Sequence, residues 1–319
     1  AYPILSGLVG SEMCIRDRLT AVHSGSAAME AGIAPGDRIL AINGQTVSML
    51  TLRNVLKKME GRAGERVSLT LYRKKMQKEF EVTVLRRAIR ESSVPTAQLL
   101  HSQQALGLKA GYLYLSEFTA ASHGEVEAAL DDLEDRGMKS LLLDLRGNPG
   151  GLLTAAVSLL GEFLPPSTEV VFTRGRNPQH NSPPMKTPER RRRERGYPIA
   201  VLLDRHSASA SELVAGALQD LERAIIVGEK SYGKGSVQRI MPMGNTALRL
   251  TIATYHTPSG RSPQDKGVIP DIEVDFSVED QANLEKQRRH DSLTAGEKKV
   301  LKLWVDPVIT AALEELSGR

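Results

Sequence analysis

From Leu19 onward the apolar positions fall into short periodic runs, and their order predicts two domains. Leu19–Val22 reads as a short strand, and Ser26–Ala31 as a small helix stopped at Gly32. Pro35–Gly36 marks a turn, Arg38–Ile42 a strand, and Asn43–Gly44 a hairpin. Thr51–Glu60 carries Leu52, Val55, Leu56 and Met59 on one helical face. Val67–Tyr72 and Phe80–Leu85 are strands joined by a Lys-rich turn. Residues 19–88 therefore make a small domain of strands and two helices.

Residues 89–110 read as a linker leading into a second domain. Residues 111–276 then alternate strand and helix. Gly111–Leu115 is a strand, and Ser122 opens a helix with a capping box, Ser122 with Glu125. That helix turns Val126, Ala129, Leu130 and Leu133 inward. Ser140–Leu145, Ile199–Leu203 and Ala224–Val227 are continuous apolar runs, as expected of strands buried on both faces. Helices follow at 152–163 and 209–221. This alternation predicts an α/β domain with a mainly parallel sheet. The chain turns strand-rich between Gly235 and Val274. Residues 277–319 read as a charged, helical C-terminal tail ending in an amphipathic stretch, Pro307–Leu316.

Composition changes this picture little. A length of 319 residues suits two domains, and 42 basic against 38 acidic residues lack the concentrated charge of a nucleic-acid binder. The one dense basic run, Glu189–Arg195, lies in a Pro-rich stretch, Asn177–Pro198, expected to be a solvated surface loop. Cys14 is the sole cysteine, which excludes an internal disulfide. No apolar run approaches the roughly 20 residues of a membrane-spanning helix. Residues 1–18 fit neither periodicity. Within them SEMCIRDR resembles translated sequencing-adapter sequence, so this stretch is left unassigned as non-native.

Three loops follow the three apolar strands, where ligands of open α/β sheets bind. Arg146-Gly-Asn-Pro-Gly-Gly151 can converge backbone N–H groups on a negative oxygen. His206-Ser-Ala-Ser-Ala-Ser-Glu212 opens a helix with small residues that leave the backbone accessible. A serine there is an ordinary N-cap or a nucleophile. Gly228–Ser236 nearly spells a phosphate-binding loop, with Gly228, Gly233 and Lys234 in register. It fails at Gly235, which has no hydroxyl for a metal ion. Lys234 between two glycines is a surface lysine or a base. Lysine serves as a base where burial disfavours its charge, and Ser–Lys pairs are a variant of the serine-hydrolase arrangement. His206 competes for that role, with no obvious acid to orient it. His256 and the other histidines show no metal-ligand spacing.

At these residues the sequence resembles the carboxyl-terminal processing proteases. The matching stretches are LLLDLRGNPGGLL (Leu141–Leu153), VLLDRHSASASELVAGALQD (Val201–Asp220), IIVGEKSYGKGSVQ (Ile225–Gln238) and TYHTPSGRSPQDKGVIPDIEV (Thr254–Val274). The front domain, with SAAMEAGIAPGDRILAINGQTV (Ser26–Val47), resembles the PDZ domain of that family. The resemblance implies an α/β catalytic core like that of crotonases and Clp protease, with an N-terminal α+β PDZ domain lacking part of its peptide groove. It implies Ser209 as nucleophile, Lys234 as base and Gln238 as the residue positioning the lysine. It also implies the N–H groups of Ala210 and Gly150 as oxyanion donors, Asp220 as a supporting acid, and Leu52 and Leu56 as peptide contacts on the PDZ helix. No metal or cofactor is implied. The partners would be proteins with unstructured C-termini, in the cell envelope or periplasm, and not nucleic acid. Membrane association through a preceding segment and a homo-oligomer stay open. The rival readings are a non-catalytic PDZ scaffold and a crotonase-like acyl-CoA enzyme, which thioester turnover would reveal.

Overall fold

Ser26 caps a one-turn helix, α1 (Ala27–Glu30), its hydroxyl accepting the Met29 N–H in this computed structural model. The structure describes residues 18–19, 22, 26–48, 50–87, 92–100, 107–189, 193–244, 246–288, 293, 298, 301 and 303–318. They form two units, one drawn from residues 1–91 and 283–304, the other from 92–282 and 305–319. Expectations for residues 1–17, including the missing part of the peptide groove, lie outside the described residues.

In the first unit, β1 (Arg38–Ile42), β2 (Gln45–Thr46), α2 (Leu52–Met59), β3 (Arg66–Arg73) and β4 (Lys78–Leu85) follow the apolar pattern closely. The sheet is antiparallel in the order β2-β1-β3-β4. Ile39, Ile42, Leu69 and Leu71 pack beneath Val55 and Met59 of α2. The apolar face of α2 is split: Leu52 and Leu56 are 39% and 40% exposed. A four-stranded sheet receives one stripe of the helix and leaves the adjacent stripe open. Asp37 is buried and takes two 2.7 Å hydrogen bonds from Arg73, which ties the Pro35–Gly36 turn to the end of β3.

The second unit begins with a strand inside the expected linker. β5 (Thr96–Leu99) pairs antiparallel with β6 (Ala110–Tyr114). Then come α3 (Ser122–Asp135), β7 (Ser140–Asp144), α4 (Leu153–Leu160), β8 (Glu169–Arg174), β9 (Ser182–Lys186), β10 (Ile199–Leu203), α5 (Ala210–Asp220) and β11 (Ile225–Gly228). β12 (Ser236–Met243), β13 (Thr246–His256), β14 (Ile272–Glu273) and α7 (Pro307–Ser317) complete the order, while α6 (Val278–Arg288) belongs to this unit up to Ala282 and to the first from Asn283. The main sheet, β14-β11-β10-β7-β6-β5, is parallel except at β5. Every residue of β7, β10 and β11 is buried, as their unbroken apolar runs require. A second, antiparallel sheet runs β12-β13-β8-β9.

Two expectations are corrected here. Ser122 and Glu125 do not form a capping box. The Ser122 hydroxyl turns back to the Thr119 N–H and the Glu117 carbonyl, and Glu125 instead accepts from the Ser93 N–H at 2.7 Å. Nor is the Pro-rich stretch around the basic run solvated loop throughout its described residues. It contains β9, and Arg195 is 2% exposed, donating to Glu162 at 2.5 Å and Asp131 at 2.9 Å. The carboxylates that hold it come from α3 and from the end of α4, so its partners lie far away in sequence.

Candidate active site

Each apolar strand of the main sheet ends in one of the three loops, and parallel pairing brings the loops to the same edge. Asp204, just after β10, joins two of them. Its Oδ1 accepts the N–H groups of Gly147 (2.8 Å), His206 (3.0 Å) and Ser207 (2.9 Å). The glycine loop and the serine loop also share bonds at Asn148, whose carbonyl accepts the Ala208 N–H and the Ser211 hydroxyl, each at 3.0 Å.

The three serines therefore differ. Ser207 is buried with its hydroxyl on the Leu145 carbonyl and Asp204, and Ser211 is buried on Asn148. Ser209 is half-buried at the N-cap of α5, and its hydroxyl proton goes to no carbonyl or carboxylate among the described residues. Its backbone is in the left-handed half of the map, φ 57° and ψ −111°. Such a conformation is strained for a residue with a Cβ and pushes the side chain out of the turn. Gly150 packs directly beneath. A Cβ there would stand 2.7 Å from the Cβ of Ser209, so only glycine fits.

Glu212 and Tyr255 fasten Ser209 to the lysine loop. Glu212 is fully buried. Its Oε2 accepts the N–H groups of Ser209 and Lys234, both at 2.8 Å. Its Oε1 accepts the Ser231 hydroxyl and the Gly233 N–H, both at 2.6 Å. The Tyr255 hydroxyl lies 2.6 Å from the Ser209 carbonyl oxygen and 2.9 Å from that of Lys234, with one proton to share between them. Burial, then the Glu212 charge, pushes the Tyr255 phenol far above its ordinary range, so it stays a donor. Neither residue was singled out from the sequence. Glu212 had an available signal, the S-x-x-E spacing of a capping box. Tyr255 had none, because its partners lie 46 and 21 residues away.

The backbones of Ser209 and Lys234 are thus brought together, but their side chains are not bonded. Lys234 is exposed, and no hydrogen bond joins its amine to Ser209 among the described residues. The burial expected of a lysine base is not present here, since the chain beyond Gly235 leaves the core as β12. Gln238 is likewise exposed, on β12, and makes no bond to Lys234. His206 is also exposed and makes no bond to Ser209 among the described residues. Its neighbour loop, Gly228–Ser236, runs into a strand and not a helix, so it forms no phosphate cradle.

Two further assignments change. The Gly150 N–H donates to Asn148 Oδ1 at 2.8 Å and is not available to an oxyanion. The N–H groups of Gly151 and Ala210 have no acceptor among the described residues. Asp220 lies at the far end of α5, about 16 Å along the helix from Ser209. It accepts the Ser259 N–H at 2.9 Å and pairs with Arg261. Against the upward push of burial, hydrogen bonds from Ser259, Thr257 and Arg261 hold its carboxyl below the ordinary range. It is a structural anchor for the 257–261 turn.

Among the described residues no cluster of His, Cys, Asp or Glu is arranged to hold a metal ion. His256 stacks on Phe172 and bonds to Thr254 and Gly260.

The sequence profile of peptidase family S41 matches residues 109–274, and that of a PDZ domain matches residues 18–73. A carboxy-terminal-processing protease of Bartonella bacilliformis is 38% identical over 92% of this chain and 66% of its own length. A carboxyl-terminal-processing protease of Synechocystis sp. is 37% identical over 86% of this chain and 64% of its own. The chain thus spans just under two thirds of these relatives. Among solved structures, the photosystem II D1 C-terminal processing protease is similar at a TM-score of 0.51 and 26% identity, covering 92% of this chain and 75% of that one. A putative S41 protease from Bacteroides fragilis shares the fold at a TM-score of 0.56 and 21% identity, over 98% and 80% of the two chains. With the loops, the buried glutamate and both profile matches in agreement, this chain belongs to peptidase family S41, among the PDZ-containing carboxyl-terminal processing proteases.

Proposed function

We propose that the chain is a serine-type endopeptidase acting on proteins with unstructured C-terminal segments. The observation that carries this reading is the pairing of Ser209 and Lys234 backbones on one buried carboxylate, Glu212. In the reaction, the Ser209 hydroxyl attacks a peptide carbonyl and its proton passes to the neutral amine of Lys234. The N–H groups of Ala210 and Gly151 meet the oxyanion, each worth about 3 kcal/mol when well aimed. The lysine returns the proton to the leaving amine, and water then releases the acyl group. Gln238 steadies the lysine in the substrate complex.

The PDZ domain takes the substrate tail by strand addition and carboxylate capture, with Leu52 and Leu56 as exposed contacts on α2. The cell envelope is the proposed compartment, from the bacterial relatives. No helix among the described residues is long and apolar enough to cross a membrane.

The test is degradation of casein by the parent chain and by Lys234→Met. Cleavage by the parent alone is expected. Equal cleavage by both would remove the lysine from the mechanism.

A further inference from the structure

The lysine loop leads straight into an arm. β12 and β13 pair from Ser236↔Thr254 out to Met243↔Thr246. All residues of Gln238–Met243 and the facing Thr246–Thr251 that the structure describes are exposed on both faces. Met241 and Leu248 face each other, and Met243 and Leu250 flank them on the same side of the ribbon. Soluble sheets rarely present such an apolar stripe to water without an occupant.

β12 is also an edge strand. The parity of its backbone follows from one bond, the Tyr255 N–H to the Gly235 carbonyl at 2.9 Å. Odd-numbered residues point their polar groups at β13. Ser236, Gln238 and Ile240 therefore point N–H and C=O outward, where no backbone bond meets them among the described residues. Pro242 offers only a carbonyl, so the row of outward donors ends at Ile240. The usable edge is the part nearest Lys234, beginning two residues beyond it.

We propose that this edge is the docking strand for the substrate backbone. An extended polypeptide adds to β12 along Ser236–Ile240, laying the side chains of its Met241-side face beside Val237 and Arg239 and next to Met241, and placing its carbonyl near Ser209. Main-chain pairing reads little sequence, which suits an enzyme acting on unstructured chains. A second copy of this chain is the poorer fit, since Pro242 cuts short the row that edge-to-edge pairing needs. This inference rests on the peptidase reading, so its test uses binding and not turnover.

The probe is a short fluorescein-labelled peptide rich in Val and Leu, amidated at its C-terminus so that carboxylate capture plays no part. Anisotropy is measured with Ser209→Ala protein, which cannot cleave it. Ile240→Pro, which removes one outward N–H, is expected to raise Kd roughly five- to tenfold. Ile240→Ala keeps the N–H and is expected to stay within about twofold. Hydrogen exchange supplies a measurement independent of any variant: the Ser236, Gln238 and Ile240 amides are expected to gain protection when peptide binds. Unchanged affinity in Ile240→Pro, or no gain of protection at these amides, would overturn the proposal. So would a sedimentation experiment in which the parent is a dimer and Ile240→Pro a monomer, since the edge would then serve self-association. Labelling of Ser209 by a fluorophosphonate in the parent separates the readings: failure to label would count against the peptidase chemistry, not against this docking edge.

Discussion

A serine held at φ 57° carries of order 1–3 kcal/mol of backbone strain, and something must hold it there. Glu212 grips the chain at the Ser209 N–H and Tyr255 at its carbonyl. Both also grip the Lys234 backbone, so the strain is set by the same two residues that align the proposed nucleophile and base. Tyr255→Phe deletes one hydroxyl and little volume. It is expected to lower kcat about five- to tenfold with KM unchanged, because the lost bond acts on geometry and not on substrate affinity. Steady-state kinetics on a peptide substrate reads this directly. The proposed nucleophile and base, Ser209 and Lys234, stand out in the sequence as residue types in small-residue loops. The grip was not, because Tyr255 reaches Ser209 across 46 residues through a fold no local pattern encodes.

Among elements, the strands buried on both faces were the easiest to read, since a parallel sheet leaves no polar side and the apolar runs are unbroken. The basic stretch misled for the opposite reason. Its charge pattern is that of a solvated loop, yet Arg195 enters the protein because α3 and the chain after α4 supply carboxylates for it. His123 of α3 joins this cluster through Glu162, 2.7 Å from its Nε2. The hydrogen bond that His123 donates to Glu162 raises the His123 pKa, against the opposing effect of burial. A raised folded-state value means stability that is full below the unfolded value and is lost as pH rises through the folded one. Denaturation midpoints of the parent are therefore expected to fall as pH rises above about 6.5. In His123→Gln this portion of the pH dependence is expected to disappear. An unchanged profile would show that the histidine does not stabilise the cluster.

At the scale of the whole molecule, the last helix, α7, is built into the second unit. Asp306 caps α7 through the Val308 and Ile309 N–H groups and takes two bonds from Arg146 at 3.1 and 2.9 Å. Arg146 is fully buried and starts the glycine loop beneath Ser209. Reading residues 277–319 as a charged tail missed this, since one aspartate before a proline signals only a helix start. Asp306→Ala leaves half of a buried guanidinium without its carboxylate and is expected to cost roughly 3–5 kcal/mol, seen as a lower denaturation midpoint. The same loss is expected to slow turnover, because the glycine loop is anchored there.

The central claim, that Ser209 is a nucleophile activated by Lys234, is tested most directly by fluorophosphonate labelling followed by peptide mapping. The expected result is a single adduct, on Ser209, that is absent in Lys234→Met. An adduct on another serine, or equal labelling of Lys234→Met, would contradict it.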